Sequence, residues 1–108
     1  MGFQDEMKQM FLRVAAGEIE PQEWEKWWNS NRVKLEETLN RGDRGRIMPA
    51  LWSANYYWMT KTQGGVAYYF HAQGRPVKTS GYYEEKAQEE ENRDRQKAME
   101  AYHRRTAS

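Results

Sequence analysis

The first regular pattern along the chain is a stripe of apolar residues near its beginning. Its members are Phe3, Met7, Met10, Phe11 and Val14. They recur at the three- and four-residue spacing of one face of an α-helix, with mostly polar residues between them. Gly17 follows the stripe, at the place where a glycine in the left-handed conformation commonly ends a helix. The pattern predicts a first helix over residues 3–16.

A second stripe runs through the tryptophan-rich segment EWEKWWNSN and continues beyond it. Its members are Trp24, Trp28, Leu35 and Leu39. Pro21 suits the first position of this helix, because its missing N–H would have no partner there. The run Asn29-Ser30-Asn31 interrupts the stripe with side chains that compete for backbone hydrogen bonds. We therefore expect either one bent helix over residues 21–40 or two helices joined near Ser30.

The tryptophans of this stripe differ in their predicted environment. Trp24 and Trp28 lie on the apolar face, so we expect both in the core, facing Met7 and Phe11 of the first helix. Trp27 lies at the margin of the stripe, and a marginal tryptophan is typical of protein contact sites.

The middle of the chain contains two glycine-bearing segments with many aromatic residues between and after them. Residues 40–45, with two glycines and an Asn-Arg-Gly start, predict a loop. Pro49 suits the start of a third, aromatic helix, which Gly64-Gly65 should end. Residues 66–73 fit a short helix, although their aromatic residues would also suit a strand.

The last third of the chain is rich in charge. Pro76 disfavours helix at the residue before it, so residues 75–79 should be extended. From Tyr82 to Arg105 every residue tolerates a helix, yet residues 88–97 contain nothing apolar and must stand in solvent or fray. We therefore divide the chain into a helical core domain over residues 1–81 and a solvent-exposed C-terminal helix or tail over residues 82–108.

Together these elements predict a mainly α fold: a small single-domain helical bundle of about four helices with a long charged C-terminal helix. A chain of 108 residues has room for one domain. Aromatic residues make up 14% of it, so they must supply much of the core.

Composition removes several classes of chemistry. The chain has no cysteine and two histidines, which excludes disulfides and thiolate metal sites and makes a zinc or iron site improbable. We predict no catalytic residue, no metal and no cofactor, and an enzyme using His71 is the weaker alternative. The N-terminal residues lack the pattern of a signal peptide, and no apolar run is long enough to span a membrane. The expectation is a cytoplasmic protein of bacterial type without a membrane partner.

Charge is distributed unevenly although the formal net charge is only +1. Residues 41–81 carry six basic residues and one acidic residue: Arg41, Arg44, Arg46, Lys61, Arg75 and Lys78 against Asp43. Basic side chains among aromatic ones can bind RNA or single-stranded DNA. The segment RGDRGR resembles the GXXG clamp of KH-type RNA binders, since its glycines can expose backbone N–H groups to phosphate. We favour a plain helix-connecting turn with solvated arginines over phosphate binding for this segment.

The number of large side chains limits how many can serve a ligand. If most aromatic residues lined a binding surface, a domain of this size could not offset its conformational entropy. The leading hypothesis is therefore a non-enzymatic protein-interaction module that forms a homodimer or binds a partner protein. Its predicted contact residues are Trp27, Tyr57, Tyr82 and Tyr102. Nucleic-acid binding through residues 41–81 is the second hypothesis.

Overall fold

The computed structural model describes residues 2–47 and 55–107 and contains five α-helices and no strand in that part of the chain. The helices are α1 (Phe3–Ala15), α2 (Pro21–Thr38), α3 (Arg41–Ile47), α4 (Tyr56–Ala72) and α5 (Tyr82–Ala107). The predicted small, mainly α bundle with an aromatic-rich core is confirmed, with five helices in place of about four. None of the helices in the described ranges is both long and apolar enough to cross a membrane.

The first two helices follow the predicted pattern. α1 ends before Gly17, whose φ of 72° lies in the left-handed region that glycine adopts readily. α2 is one continuous helix through its polar interruption, because Ser30 Oγ and Asn31 Nδ2 donate to the carbonyls of Lys26 and Trp27 at 3.0 and 2.9 Å. Side chains that bond back to the preceding turn in this way leave the helix intact.

The core placement of the tryptophan stripe is confirmed. Trp24 and Trp28 are fully buried, together with Met7 and Phe11 of α1. The Phe11 and Trp24 rings lie 6.3 Å apart, so α1 and α2 face each other across the short connection between them.

The predicted loop over residues 40–45 is wrong, since α3 begins at Arg41. Asn40 precedes it, and its Oδ1 accepts the Asp43 N–H at 2.8 Å. An Asn at this position satisfies one of the unpaired amides of a helix start. Asp43 lies in the first turn and Arg44 and Arg46 in the last, which suits the helix dipole. The glycines of this segment therefore lie within a helix.

The predicted stop at Gly64-Gly65 is also wrong, because α4 runs through both glycines to Ala72. A Cβ at Gly65 would collide with the backbone carbonyl of Arg46, so α3 packs directly on α4 there. The glycine is thus needed for close helix approach, and the strand alternative for residues 66–73 is excluded by the helix. Asn55 Oδ1 accepts the Trp58 N–H at 2.9 Å and caps α4. The predicted start at Pro49 falls outside the described residues.

The connection from α4 to α5 crosses the end of α1. Residues 75–80 form no helix, and Ser80 N–H donates to the Ala15 carbonyl at 2.9 Å. The buried Gln63 of α4 lies behind this contact, with Nε2 at 2.9 Å from the Ala15 oxygen and 3.0 Å from the Ser80 oxygen. One amide therefore ties α1, α4 and the connection together.

α5 begins in the core and then leaves it. Tyr83 is fully buried, and its hydroxyl donates to the Ile19 carbonyl at 2.7 Å. Every residue from 91 to 105 is exposed. The division between residues 1–81 and 82–108 thus falls at a helix whose first turns pack on the core and whose remainder does not. We call residues 91–105 the α5 arm.

Candidate interaction surface

The four predicted contact aromatics lie in different surroundings. Tyr57 on α4 and Tyr102 on the α5 arm are 54% and 66% exposed. Trp27 and Tyr82 are half-buried and pack against the core. Two of these rings are therefore largely exposed, and the other two are partly covered by the core.

Trp27 packs at the open end of the α1–α2 pair. Its ring stacks on Phe3 at a centroid distance of 6.2 Å with the planes 10° apart, and it lies 5.5 Å from Trp24. The Lys34 ammonium lies 5.7 Å from the Phe3 centroid. These contacts explain why a tryptophan at the margin of the stripe is half-buried.

Tyr82 forms part of a carboxylate clasp. Its hydroxyl and that of Tyr56 donate to the two oxygens of Glu20 at 2.8 and 2.6 Å. The two phenol rings meet edge to face at 6.0 Å. This clasp joins the α1–α2 connection to the starts of α4 and α5.

The clasp and the neighbouring buried phenol shift acid–base equilibria. The hydrogen bonds from Tyr56 and Tyr82 hold the pKa of the Glu20 carboxyl below its ordinary value, because they stabilise the charged form. The hydrogen bond from the Tyr56 hydroxyl to Glu20 also raises the pKa of Tyr56, because an ionised phenol has no proton to donate to the carboxylate. Burial raises the pKa of Tyr83. The phenols of Tyr56 and Tyr83 are therefore hydrogen-bond donors at neutral pH.

A groove runs between the first half of α4 and α5. Its volume is about 580 Å³, and we call it the α4–α5 groove. It is lined by Asn55, Tyr57, Thr60, Glu84, Ala87, Gln88, Glu90, Glu91 and Asp94. One wall thus presents an exposed aromatic ring and the other presents four carboxyl groups. Such a groove fits a basic segment that carries an aromatic or apolar side chain.

The second candidate surface lies on α3 and the outer face of α4. The Arg46 guanidinium lies 3.9 Å from the centre of the Tyr68 ring, and Lys61 lies 5.6 Å from that of Tyr57. Tyr57, Lys61, Gly64 and Tyr68 recur at helical spacing and are all exposed. This outer face of α4 therefore alternates basic groups with aromatic rings.

The other predicted basic residues lie on α3 and in the connection that follows α4. Arg41 is exposed at the start of α3, while Arg44 is half-buried with its Nε enclosed and without a hydrogen-bond partner among the described residues. Arg75 and Lys78 are exposed in the connection that follows α4. The backbone N–H groups of Asp43 and Arg44 bond to Asn40, so they do not form the open amide cradle expected of a phosphate-binding loop.

Groups suited to metal binding or catalysis are sparse in the described ranges. No set of three or more His, Asp or Glu side chains there is arranged to hold a metal ion. His71 is exposed on α4.

Three residues that shape these surfaces were not singled out from the sequence. Gln63 falls between Met59 and Val66 at helical spacing, so a polar residue on an apolar face was the available signal. Glu20 gave no local signal, because its partners lie 36 and 62 residues away. Tyr68 was not named as a contact residue, and it is 47% exposed, with the Arg46 guanidinium over its ring.

Comparison with known proteins adds no relative to this description. No protein family, no curated protein and no solved structure matches this chain.

Proposed function

We propose that this chain is a non-enzymatic protein-interaction module that binds its partner along the α5 arm and the adjoining α4–α5 groove. The single observation that carries the proposal is the exposure of the arm: every one of its residues is exposed in the folded chain. A helix of this length is marginal by itself in water, so contact with a partner would stabilise it.

The exposed large side chains support the same surface. Met99 and Tyr102 are 57% and 66% exposed on the arm, and Tyr57 stands in the groove. Tyrosine and methionine are enriched in protein interfaces, where they bury large areas. Trp27 and Tyr82 can contribute only the edges that their intramolecular contacts leave open.

Site-specific photo-crosslinking in the protein's own cells tests this proposal. A benzophenone amino acid replaces Met99 or Tyr102 in the full chain, and Val33 on α2, which is 66% exposed, is the matched control position. We expect covalent protein adducts from the two arm positions and none above background from position 33. Equal adducts at all three positions, or none at any, would contradict the proposal.

A second candidate function, binding of RNA or single-stranded DNA, rests on the outer face of α4. Arg46 over Tyr68 and Lys61 over Tyr57 place cations beside exposed rings, which suits backbone phosphates and stacked bases. We expect a fluorescent oligonucleotide to bind with an affinity that falls steeply with salt and drops about tenfold in R46E or K61E. R32E, which changes an exposed arginine on α2, should have no comparable effect. Absence of binding at low salt would eliminate this function.

A further inference from the structure

The charges of α5 divide sharply along its length. Residues 82–94 carry six acidic and two basic side chains, whereas residues 95–108 carry four basic and one acidic. The first half lies beside α4 and forms the acidic wall of the α4–α5 groove. The second half is exposed throughout residues 95–105. One helix therefore presents a negative surface near the body of the molecule and a positive surface at its far end.

One face of α5 joins these two halves. Its positions alternate by three and four residues, the spacing with which one helix packs along another. They are Glu84, Ala87, Glu91, Asp94, Ala98, Ala101 and Arg105, and we call them the α5 seam. The first four line the α4–α5 groove, and all are exposed except the half-buried Ala87. The seam thus runs from the groove to the end of the arm on one side of the helix.

We propose that the partner bound by this seam is the α5 seam of a second copy of the chain, packed antiparallel. This inference rests on the proposed function and names its partner. With the symmetry axis between Asp94 and Arg95, Asp94 of each copy faces Arg95 of the other, and Glu84 faces Arg105. Each charge pair occurs twice, because a two-fold interface repeats every contact.

Charge selects the antiparallel direction over the parallel one. Parallel packing would set the acidic halves against each other and the basic halves against each other, which opposes association. Antiparallel packing brings the basic half of each copy to the acidic groove wall of the other. Arg95 already pairs with Glu91 of its own chain at 3.1 Å, so it would join a cluster of carboxylates at the axis.

The same register also brings Tyr102, the exposed aromatic residue of the arm, to the groove of the other copy. Tyr102 of one copy falls opposite Ala87 of the other, in the groove that also contains Tyr57. The small alanine leaves room for the incoming ring. The folded bodies lie at opposite ends of the helix pair.

Cysteine crosslinking of the full-length protein tests both the partner and the direction. The chain has no cysteine of its own, so each introduced thiol reports one position. Glu91 and Ala98 both belong to the seam and face each other in the proposed register, whereas each lies about 10 Å along the axis from the same residue of the other copy. A disulfide requires Cα atoms within about 7 Å.

We expect E91C mixed with A98C to form a disulfide between the two chains under mild oxidation, identified by mass spectrometry. Neither variant alone should crosslink above V33C, which places the thiol on exposed α2. Self-crosslinking of E91C and A98C separately would overturn the antiparallel arrangement. A mixture that behaves like V33C would overturn self-association through this seam.

Charge exchange provides an independent measurement. In sedimentation equilibrium, E84R and R105E should each raise the dimer dissociation constant about tenfold, because two like-charge contacts replace two attractive pairs. The double variant E84R/R105E exchanges the two charges and should restore dimerisation. A double variant no better than the single ones would overturn the Glu84–Arg105 pairing.

The crosslinking results separate this inference from the proposed function. Adducts of the arm with a different protein, together with a monomer in solution at every concentration, would overturn the second-copy assignment and leave the interaction module standing. An arm that crosslinks to nothing overturns both.

Discussion

The Gln63 side chain joins three segments of the fold through its hydrogen bonds. It is buried, and its amide donates toward carbonyl oxygens of α1 and of the connection before α5. The carbonyl of Ser80 would lose this partner if the amide were removed, and a polar group left unpaired in the protein interior lowers stability. A single polar residue thus fixes how three segments meet.

Replacing Gln63 with alanine should therefore be costly. We expect Q63A to lower the free energy of unfolding by about 2–3 kcal/mol, because it leaves buried polar groups unpaired and opens a cavity. Urea unfolding followed by tryptophan fluorescence measures this loss. Q4A changes an exposed glutamine on α1 and should stay within about 0.5 kcal/mol of the parent protein. Equal effects of the two substitutions would contradict the role given to Gln63.

Glu20 makes the stability of the fold depend on pH in a defined direction. Its pKa is lowered in the folded state, so its contribution is present above the ordinary value of 4.5 and is lost as pH falls through the folded value. The carboxylate is exposed, which limits that contribution to about 1 kcal/mol.

The variant E20Q isolates this contribution. We expect it to be less stable than the parent at pH 7, and the difference should shrink toward zero as pH falls below about 4.5. Thermal unfolding of both proteins across this range gives the difference directly. E18Q changes another exposed carboxyl of the same connection and serves as the control. A difference that is independent of pH would show that the two phenol hydrogen bonds do not favour the charged form.

At the scale of elements, two adjacent glycines of α4 have opposite surroundings. Gly65 faces α3, where a Cβ would collide with the Arg46 carbonyl, whereas Gly64 has open space around it. Both lie within α4 and have helical backbone conformations. Among the described glycines, only Gly17 and Gly74 have a positive φ. The pair therefore separates a packing requirement from the intrinsic cost of glycine in a helix.

The substitutions G64A and G65A form a matched test of helix packing. We expect G64A to raise the free energy of unfolding by about 0.5–1 kcal/mol, because alanine favours the helix and has room. G65A should lower it by about 1–3 kcal/mol, because α3 must move away from α4. Chemical denaturation measures both. Stabilisation by G65A would mean that α3 does not rest on α4 at this point.

At the scale of the whole molecule, the folded chain is more elongated than a compact domain with the same number of residues. Its extents are 64 × 27 × 22 Å and its radius of gyration is 17.1 Å, compared with about 13 Å for a compact chain of this length. The cause is α5, whose 26 residues span about 39 Å. Its first turns are anchored through Tyr82 and Tyr83, and residues 91–105 are exposed.

Hydrogen exchange should reveal this uneven stability. In dilute solution we expect amides of residues 95–105 to exchange at least about a hundredfold faster than those around Tyr83, because the arm can unwind without opening the core. Mass spectrometry of the labelled protein resolves the two ends of α5. Uniform protection of α5 in the dilute protein would contradict an independently fraying arm.

The local pattern of the sequence determined most of the helices and a large part of the core. The apolar stripes predicted α1 and α2, and the tryptophans of the second stripe are buried as expected. The uniformly polar run of residues 88–97 predicted that α5 would leave the core. These conclusions follow from periodicity, because a helix places residues three and four apart on one face whatever it packs against.

The tertiary structure decided what the glycines and the isolated polar residues do. The loop predicted over residues 40–45 is a helix, Gly65 marks a helix contact, and Glu20 joins two tyrosines. Each of these roles depends on a partner far along the chain, such as Tyr82 at 62 residues from Glu20. The sequence by itself determined which faces are apolar and which stretches are charged, since those are local properties. Only the folded chain decided which faces meet, because that depends on contacts between distant segments.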